Sequence, residues 1–236
     1  MVKNPFRVLS KGERILWGIS VVTVIVSFLL SASKDFLTLT ASLIGVTSLI
    51  FIARGHVFGQ ILGVIFAVFY GIVSFYFRYY GEMITYLGMS APISILSTIS
   101  WLLHPYEKND EVEVSHVTKK QVFVMCILAV SVTVLFYFIL KALGNANLIV
   151  SVISVTTSFV ASYLAFLRSP WYAVAYSVND IILIVLWILA SLEKTDYIPM
   201  MMCFVMFLIN DLYGFYSWRK MLKRQRECKK EELVID

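Results

Sequence analysis

Two Asn-Asp pairs interrupt long apolar runs of this 236-residue chain, Asn179-Asp180 and Asn210-Asp211. Polar side chains at membrane depth cost free energy, so each is a candidate for function. A carboxyl near a bilayer midplane needs a partner, a proton or a cationic ligand. Asp180, close to the middle of its run, is therefore the first candidate for binding, with the amide of Asn179 beside it to read hydroxyls. Asn210 and Asp211 lie in the inner half of the last run and could bind a ligand or simply hydrogen-bond between helices. Gln60 stands near the inner end of a third run. Arg78 to Glu82 (RYYGE) open a fourth, with Tyr86 following; Arg78 and Glu82, four apart, suit an ion pair at the outer interface. Tyr172, Tyr176 and Asn179 follow i, i+4, i+7 and share one helix face, and Trp171 starts the same stripe. Other rings also lie deep, among them Tyr70 and Tyr213. Aromatic faces beside carboxyls and amides suit a flat ligand carrying positive charge and hydroxyls; ordinary packing would explain any single ring.

Metal and nucleophile chemistry find little support. Cys126, Cys203 and Cys228, and His56, His104 and His116, show no metal-ligand spacing and no disulfide framework, so no metal or cofactor is expected. Asp180 and Asp211 fall on separate runs, at different expected depths, with no histidine beside them. That weighs against an intramembrane enzyme, which needs paired catalytic groups.

The elements that must position these residues follow from composition. The chain is 59% hydrophobic and 15% charged, with a mean hydropathy of +0.81. Soluble domains run at about 45–50% apolar and about 25% charged, so a soluble enzyme, a disordered tail and a fibrous repeat are excluded. Eight spans are expected, at 15–31, 36–53, 57–77, 80–102, 121–141, 148–167, 171–192 and 197–218. Each can cross about 30 Å of hydrocarbon as a helix. The first resembles a signal peptide in layout, with Ala32 and Ser33 near a mock cleavage site, but is read as a retained span. The net charge of +5 speaks of orientation rather than of nucleic acid. All but four of the 20 Lys and Arg (Lys34, Arg78, Lys141 and Lys194) fall on the side of the N-terminus, which places both termini in the cytoplasm.

An acidic loop after His104 divides the chain into two halves of four spans. The halves look related: span 4 closes on Trp101 and span 8 on Trp218, and Arg54 and Arg168 occupy corresponding turns. An even number of spans per half makes a parallel repeat, with the site expected between the repeats. Span 5 has no charge across residues 121–140 and reads as a linker facing lipid or another protomer. Gly59 and Gly63 allow close helix approach, and Pro92 implies a kink.

Residues 53–70 (ARGHVFGQILGVIFAVFY), 77–92 (FRYYGEMITYLGMSAP), 171–180 (WYAVAYSVND) and 210–218 (NDLYGFYSW) resemble the PnuC family of bacterial vitamin transporters, over about 36–220. Span 4 departs from the Asn-x-Tyr-Gly pattern of span 8, with Ile93 in the asparagine's place. The resemblance implies an all-α integral membrane fold similar to the SWEET sugar transporters: two parallel three-helix bundles joined by an inverting helix (3+1+3), plus an N-terminal helix. The units are then 1–35 (N-terminus and extra span), 36–103 (first bundle), 104–120 (loop), 121–146 (linker helix), 147–218 (second bundle) and 219–236 (basic cytoplasmic tail). It further implies a homotrimer in the bacterial inner membrane that imports nicotinamide riboside by facilitated diffusion, with net uptake driven by a cytoplasmic riboside kinase. Thiamine, a deoxyribonucleoside or proton coupling remain open alternatives. The expected substrate-binding residues are Gln60, Tyr70, Glu82, Tyr86, Trp171, Tyr172, Tyr176, Asn179, Asp180, Asn210 and Tyr213.

Overall fold

The computed structural model describes residues 5–31, 34–76, 80–106, 110–145, 147–193 and 197–235. Arg78, expected to pair with Glu82, lies outside the described residues, as do Ala32, Ser33 and three cations of the orientation count, Lys3, Lys108 and Lys194. Among the described residues, eight helices have the length and apolar composition to cross a membrane. They are α1 (Lys11–Leu30), α2 (Phe36–Ala53), α3 (Val57–Tyr76), α4 (Tyr80–Leu102), α5 (Lys119–Ala142), α6 (Leu148–Phe166), α7 (Trp171–Glu193) and α8 (Ile198–Ile235).

Local chemistry starts these helices where they start. Ser10 and Glu13 form a reciprocal capping box on α1, and Thr118 and Gln121 form another on α5. Each satisfies two of the backbone donors that a helix start leaves open. The turn from α2 to α3 passes through Gly55 at φ +73°, a left-handed conformation that glycine adopts without strain. The corresponding turn from α6 to α7 places Arg168 in the same conformation, at φ +57°. Within α4 the Ala91 N–H donates to Tyr86 O, five residues back, so one π-helical turn precedes Pro92. Proline cannot complete the regular ladder, and the wider turn absorbs that loss.

Six helices close into a ring in the order α2, α3, α4, α6, α7, α8 and back to α2. Outside it, α1 packs on α2 and α8, and α5 packs on α6. Tryptophans fasten the ring crosswise. Trp101 Nε1, at the end of α4, donates to Ala165 O at the end of α6 (2.9 Å). Trp218 Nε1, in α8, donates to Ile52 O at the end of α2 (2.8 Å). Each closing tryptophan thus satisfies a terminal carbonyl of the other half, and the two indoles lie 5.3 Å apart.

The face of the bundle that carries these tryptophans also carries Arg14, Arg54, Arg168 and the projecting end of α8; it is termed the basic face. At about 1.5 Å per residue, 38 residues of α8 reach about 57 Å, far beyond a bilayer core. What reads in sequence as a basic tail is helix with a packing partner. A small hairpin, β1 (Pro105–Tyr106) and β2 (Glu111–Val112), lies under the ring. Val112 N donates to Gly55 O and Ser115 N to Arg168 O, which ties the loop to the matched turns of both halves. The α8 extension grips this loop. Gln225 accepts from Val114 N and donates to Val112 O, Arg224 pairs with Glu111, and Lys229 pairs with Glu113. The hydrogen bond from Lys229 holds the Glu113 carboxyl below its usual range.

Candidate functional site

A narrow cavity of about 90 Å³ lies inside the ring, between two aromatic layers. On the side away from the basic face, Tyr70 and Tyr86 stand 4.2 Å apart. Phe66 and Phe204 each pack 5.3 Å from Phe207 in the same layer. Toward the basic face, Tyr172 packs on Trp218 at 4.9 Å, and Trp218 on Trp101. Small-molecule pockets usually measure about 300–1,000 Å³. At about 90 Å³ the cavity is smaller than that, so the lining rings must move for a ligand of this size to be held. Gly45 sits where a Cβ would overlap the Phe207 and Phe66 rings, so its lack of a side chain makes room for the aromatic layer.

Polar groups converge on the cavity from both halves. From α7 come Tyr172, Tyr176 and Asn179 of the predicted stripe, without Trp171 that starts it, and Asp180 beside them. From α3 comes Gln60, and from α4 come Tyr86, Ser90 and Ser94. Asn179 Oδ1 accepts from Thr157 Oγ1 at 2.9 Å, and the Tyr176 hydroxyl bonds Ser162 at 2.8 Å. These bonds to α6 lock two of the lining side chains in place. Three lining atoms are buried yet lack a hydrogen-bond partner: Ser90 Oγ, Tyr172 OH and Asp180 Oδ2. Leaving such a group unpaired costs about 1–3 kcal/mol, so their convergence on one cavity marks them for a ligand.

Asp211 is the principal addition to the expected set. It lines the cavity with its carboxyl beside that of Asp180. The sequence reading put the two at different depths, and the structure corrects this. Both helices end at the basic face, α7 starting there and α8 crossing it at Trp218. Asp180 lies nine residues in from Trp171, about 13 Å, and Asp211 seven residues in from Trp218, about 11 Å, so the carboxyls meet. No Lys or Arg is among the residues lining the cavity.

Five expected site residues do not line the cavity. Asn210 Nδ2 turns away to Ser20 Oγ of α1 (2.9 Å) and to Met206 O (2.7 Å). The Tyr213 hydroxyl donates to Glu13 of α1 (3.1 Å). Both residues fasten α1 to the ring, because the inward-facing Asp211 lies one position after Asn210 and two before Tyr213, on a different face of the helix. Trp171 sits at the basic face, 53% exposed, against Phe215. Tyr70 belongs to the aromatic layer above the cavity. Glu82 is buried beyond that layer, with Tyr70 and Tyr86 as its electrostatic neighbours.

An all-helical ring of membrane-spanning length, closed around a polar cavity between aromatic layers, defines the class: a multi-pass membrane transporter. The chain belongs to the family described as "Nicotinamide mononucleotide transporter", which it matches over residues 35–220. Among curated proteins it is similar to "Nicotinamide riboside transporter PnuC" of Neisseria mucosa, at 27% identity over 195 residues, covering 80% of this chain and 74% of the relative. The protein of the same name from Haemophilus influenzae is 24% identical over 192 residues, covering 80% and 82%. Among solved structures, that of the vitamin B3 transporter PnuC superposes with a TM-score of 0.79 at 25% identity, over 92% of this chain and 94% of that one.

Proposed function

We propose that this chain carries nicotinamide riboside across the bacterial inner membrane, with the basic face in the cytoplasm. The observation that carries this reading is the cavity lining: two neighbouring carboxyls, six aromatic or phenolic rings and several hydroxyls, with no cation. A riboside of nicotinamide presents a flat pyridinium cation and sugar hydroxyls. The cation suits Asp180, Asp211 and the faces of Tyr172 and Tyr86; the hydroxyls suit Gln60, Ser90, Ser94 and the amide of Asn179. A mononucleotide adds a phosphate, which the carboxyl pair repels and which meets no Lys or Arg in the lining. Site chemistry therefore favours the riboside of the curated relatives' names over the mononucleotide of the family description.

Movement is by facilitated diffusion, the two aromatic layers opening in turn, and phosphorylation in the cytoplasm traps the product for NAD synthesis. The exposed outer faces of α5, with Phe123, Val130 and Phe138 on the surface, are left for lipid or for partner protomers in a homotrimer. The decisive experiment measures uptake in proteoliposomes together with a binding screen of nicotinamide riboside, its mononucleotide, thiamine and deoxyribonucleosides. Asp180→Asn and Asp211→Asn should each lower riboside uptake at least about tenfold, the equivalent of about 1.4 kcal/mol. Unchanged uptake in both variants, or tighter binding of the mononucleotide, would overturn the assignment.

A further inference from the structure

A second and larger concavity, of about 800 Å³, opens on the basic face. Its floor is the α8 extension, which contributes Arg219, Lys223, Arg226, Lys229 and Lys230 against a single lining carboxylate, Glu227. A surplus of cations on one face of a membrane protein follows from the rules of topology alone and requires no ligand. Three features here go beyond that. The cations line a hollow rather than a convex helix surface. The opposite wall is the start of α7, behind Ser169 and Pro170, where the helix dipole adds to the positive potential. The rim carries the indole of Trp171, half exposed and supported from behind by Phe215 at 5.6 Å.

The cations are also unequal. Lys229 is engaged by Glu113, and Arg226 is turned onto His116, with Nε to Nε2 at 3.0 Å. Lys223 and Glu227 are 3.9 Å apart in an exposed i,i+4 pair, which is weak. Arg219 has no carboxylate partner among the described residues, and it follows Trp218 directly, beside the start of α7. We propose that this cleft binds a phosphate group borne on an organic moiety, the phosphate held by Arg219 and Lys223 and the organic part lying against Trp171. Its volume exceeds what a bare inorganic phosphate fills. A soluble nucleoside monophosphate and the headgroup of an anionic lipid share this chemistry, since the cleft lies where α7 enters the bilayer. The inference does not rest on which cargo the cavity inside the ring takes.

The test uses the full chain in nanodiscs made either of phosphatidylcholine alone or with phosphatidylglycerol added. Thermal stability and Trp fluorescence are followed with adenosine 5′-monophosphate, with adenosine as the phosphate-free control. Stabilisation in phosphatidylcholine by the monophosphate but not by adenosine identifies a soluble ligand. Stabilisation by phosphatidylglycerol, with loss of any response to the monophosphate, identifies the lipid. In either case the double variant Arg219→Gln, Lys223→Gln should weaken the response at least about tenfold while nicotinamide riboside binding, measured in parallel, confirms that the variant is folded. The proposal fails if neither phosphate source stabilises the protein, or if the double variant responds as the parent does. Loss of riboside binding in the parent would count against the transport reading and leave this one standing.

Discussion

Single residues here show how far a helical stripe can be read. Tyr172, Tyr176, Asn179 and Asp180 face the cavity as their spacing implies, because helix periodicity is set by the backbone itself. Asn210 does not, because its partner is Ser20, 190 residues away, and nothing local in the sequence announces that contact. One step along, about 100° around the helix, Asp211 faces inward. The signal was present in the repeat: counting back seven residues from Trp101 and from Trp218 reaches Ser94 and Asp211, both of which line the cavity. Counting back eight reaches Ile93 and Asn210, neither of which does. Asn210→Ala should therefore lower thermal stability, by about 0.6–2 kcal/mol for a lost interhelical bond, and leave the KM of riboside uptake unchanged. A KM that rises tenfold would place Asn210 at the site after all.

Elements were legible wherever apolar length decides them, and all eight spans lie within a few residues of expectation except the last. The basic stretch after Trp218 lacks the hydropathy of a span, so its continuation as helix depended on a partner, the 111–114 segment, that only the tertiary structure reveals. This clasp has a pH dependence with a definite sign. The Glu113 carboxyl is held below its usual range by Lys229, so its contribution is complete above the ordinary carboxyl value of 4.5 and is lost as pH falls through the lowered one. The distance between spin labels at Asp110 and Cys228 should stay sharp above pH 4.5 and broaden below it, while Lys229→Ala should broaden it at neutral pH. The crossed tryptophans give a second test at this scale. Trp101→Phe and Trp218→Phe each remove one buried N–H···O=C bond and should each cost about 0.5–1.5 kcal/mol, the net worth of one hydrogen bond, since Ala165 O and Ile52 O keep the backbone N–H of Arg168 and Gly55. Since the indoles touch, the double variant should depart from the sum of the two when unfolding is measured.

At the level of the whole molecule, α1 and α5 stand in corresponding places. Each packs outside the ring on the first ring helix of its own half, α2 or α6. Each also meets the last ring helix of a half: Ile93 shares a cluster with Ala129 and Phe136 of α5, and Asn210 bonds Ser20 of α1. The departure of span 4 from the Asn-x-Tyr-Gly pattern is thus an exchange of an apolar contact for a polar one at matched positions. Division of labour at the cavity is equally uneven, with both carboxyls on the second half and Gln60 on the first. The two aromatic layers have a further, electrical consequence. Layers that open in turn, as proposed, never leave a continuous file of water or ions, so the protein can pass its cargo without discharging the membrane. Over one full cycle the protein returns to its starting state, and the net charge moved is that of the cargo alone. For a monovalent cation, each 100 mV of membrane potential is worth about 2.3 kcal/mol, roughly fiftyfold in concentration at equilibrium. Riboside jumps on a solid-supported membrane should then produce a transient current of positive charge entering the vesicles, and an electrically silent uptake would mean that the carboxyl pair exchanges a proton for each cargo molecule.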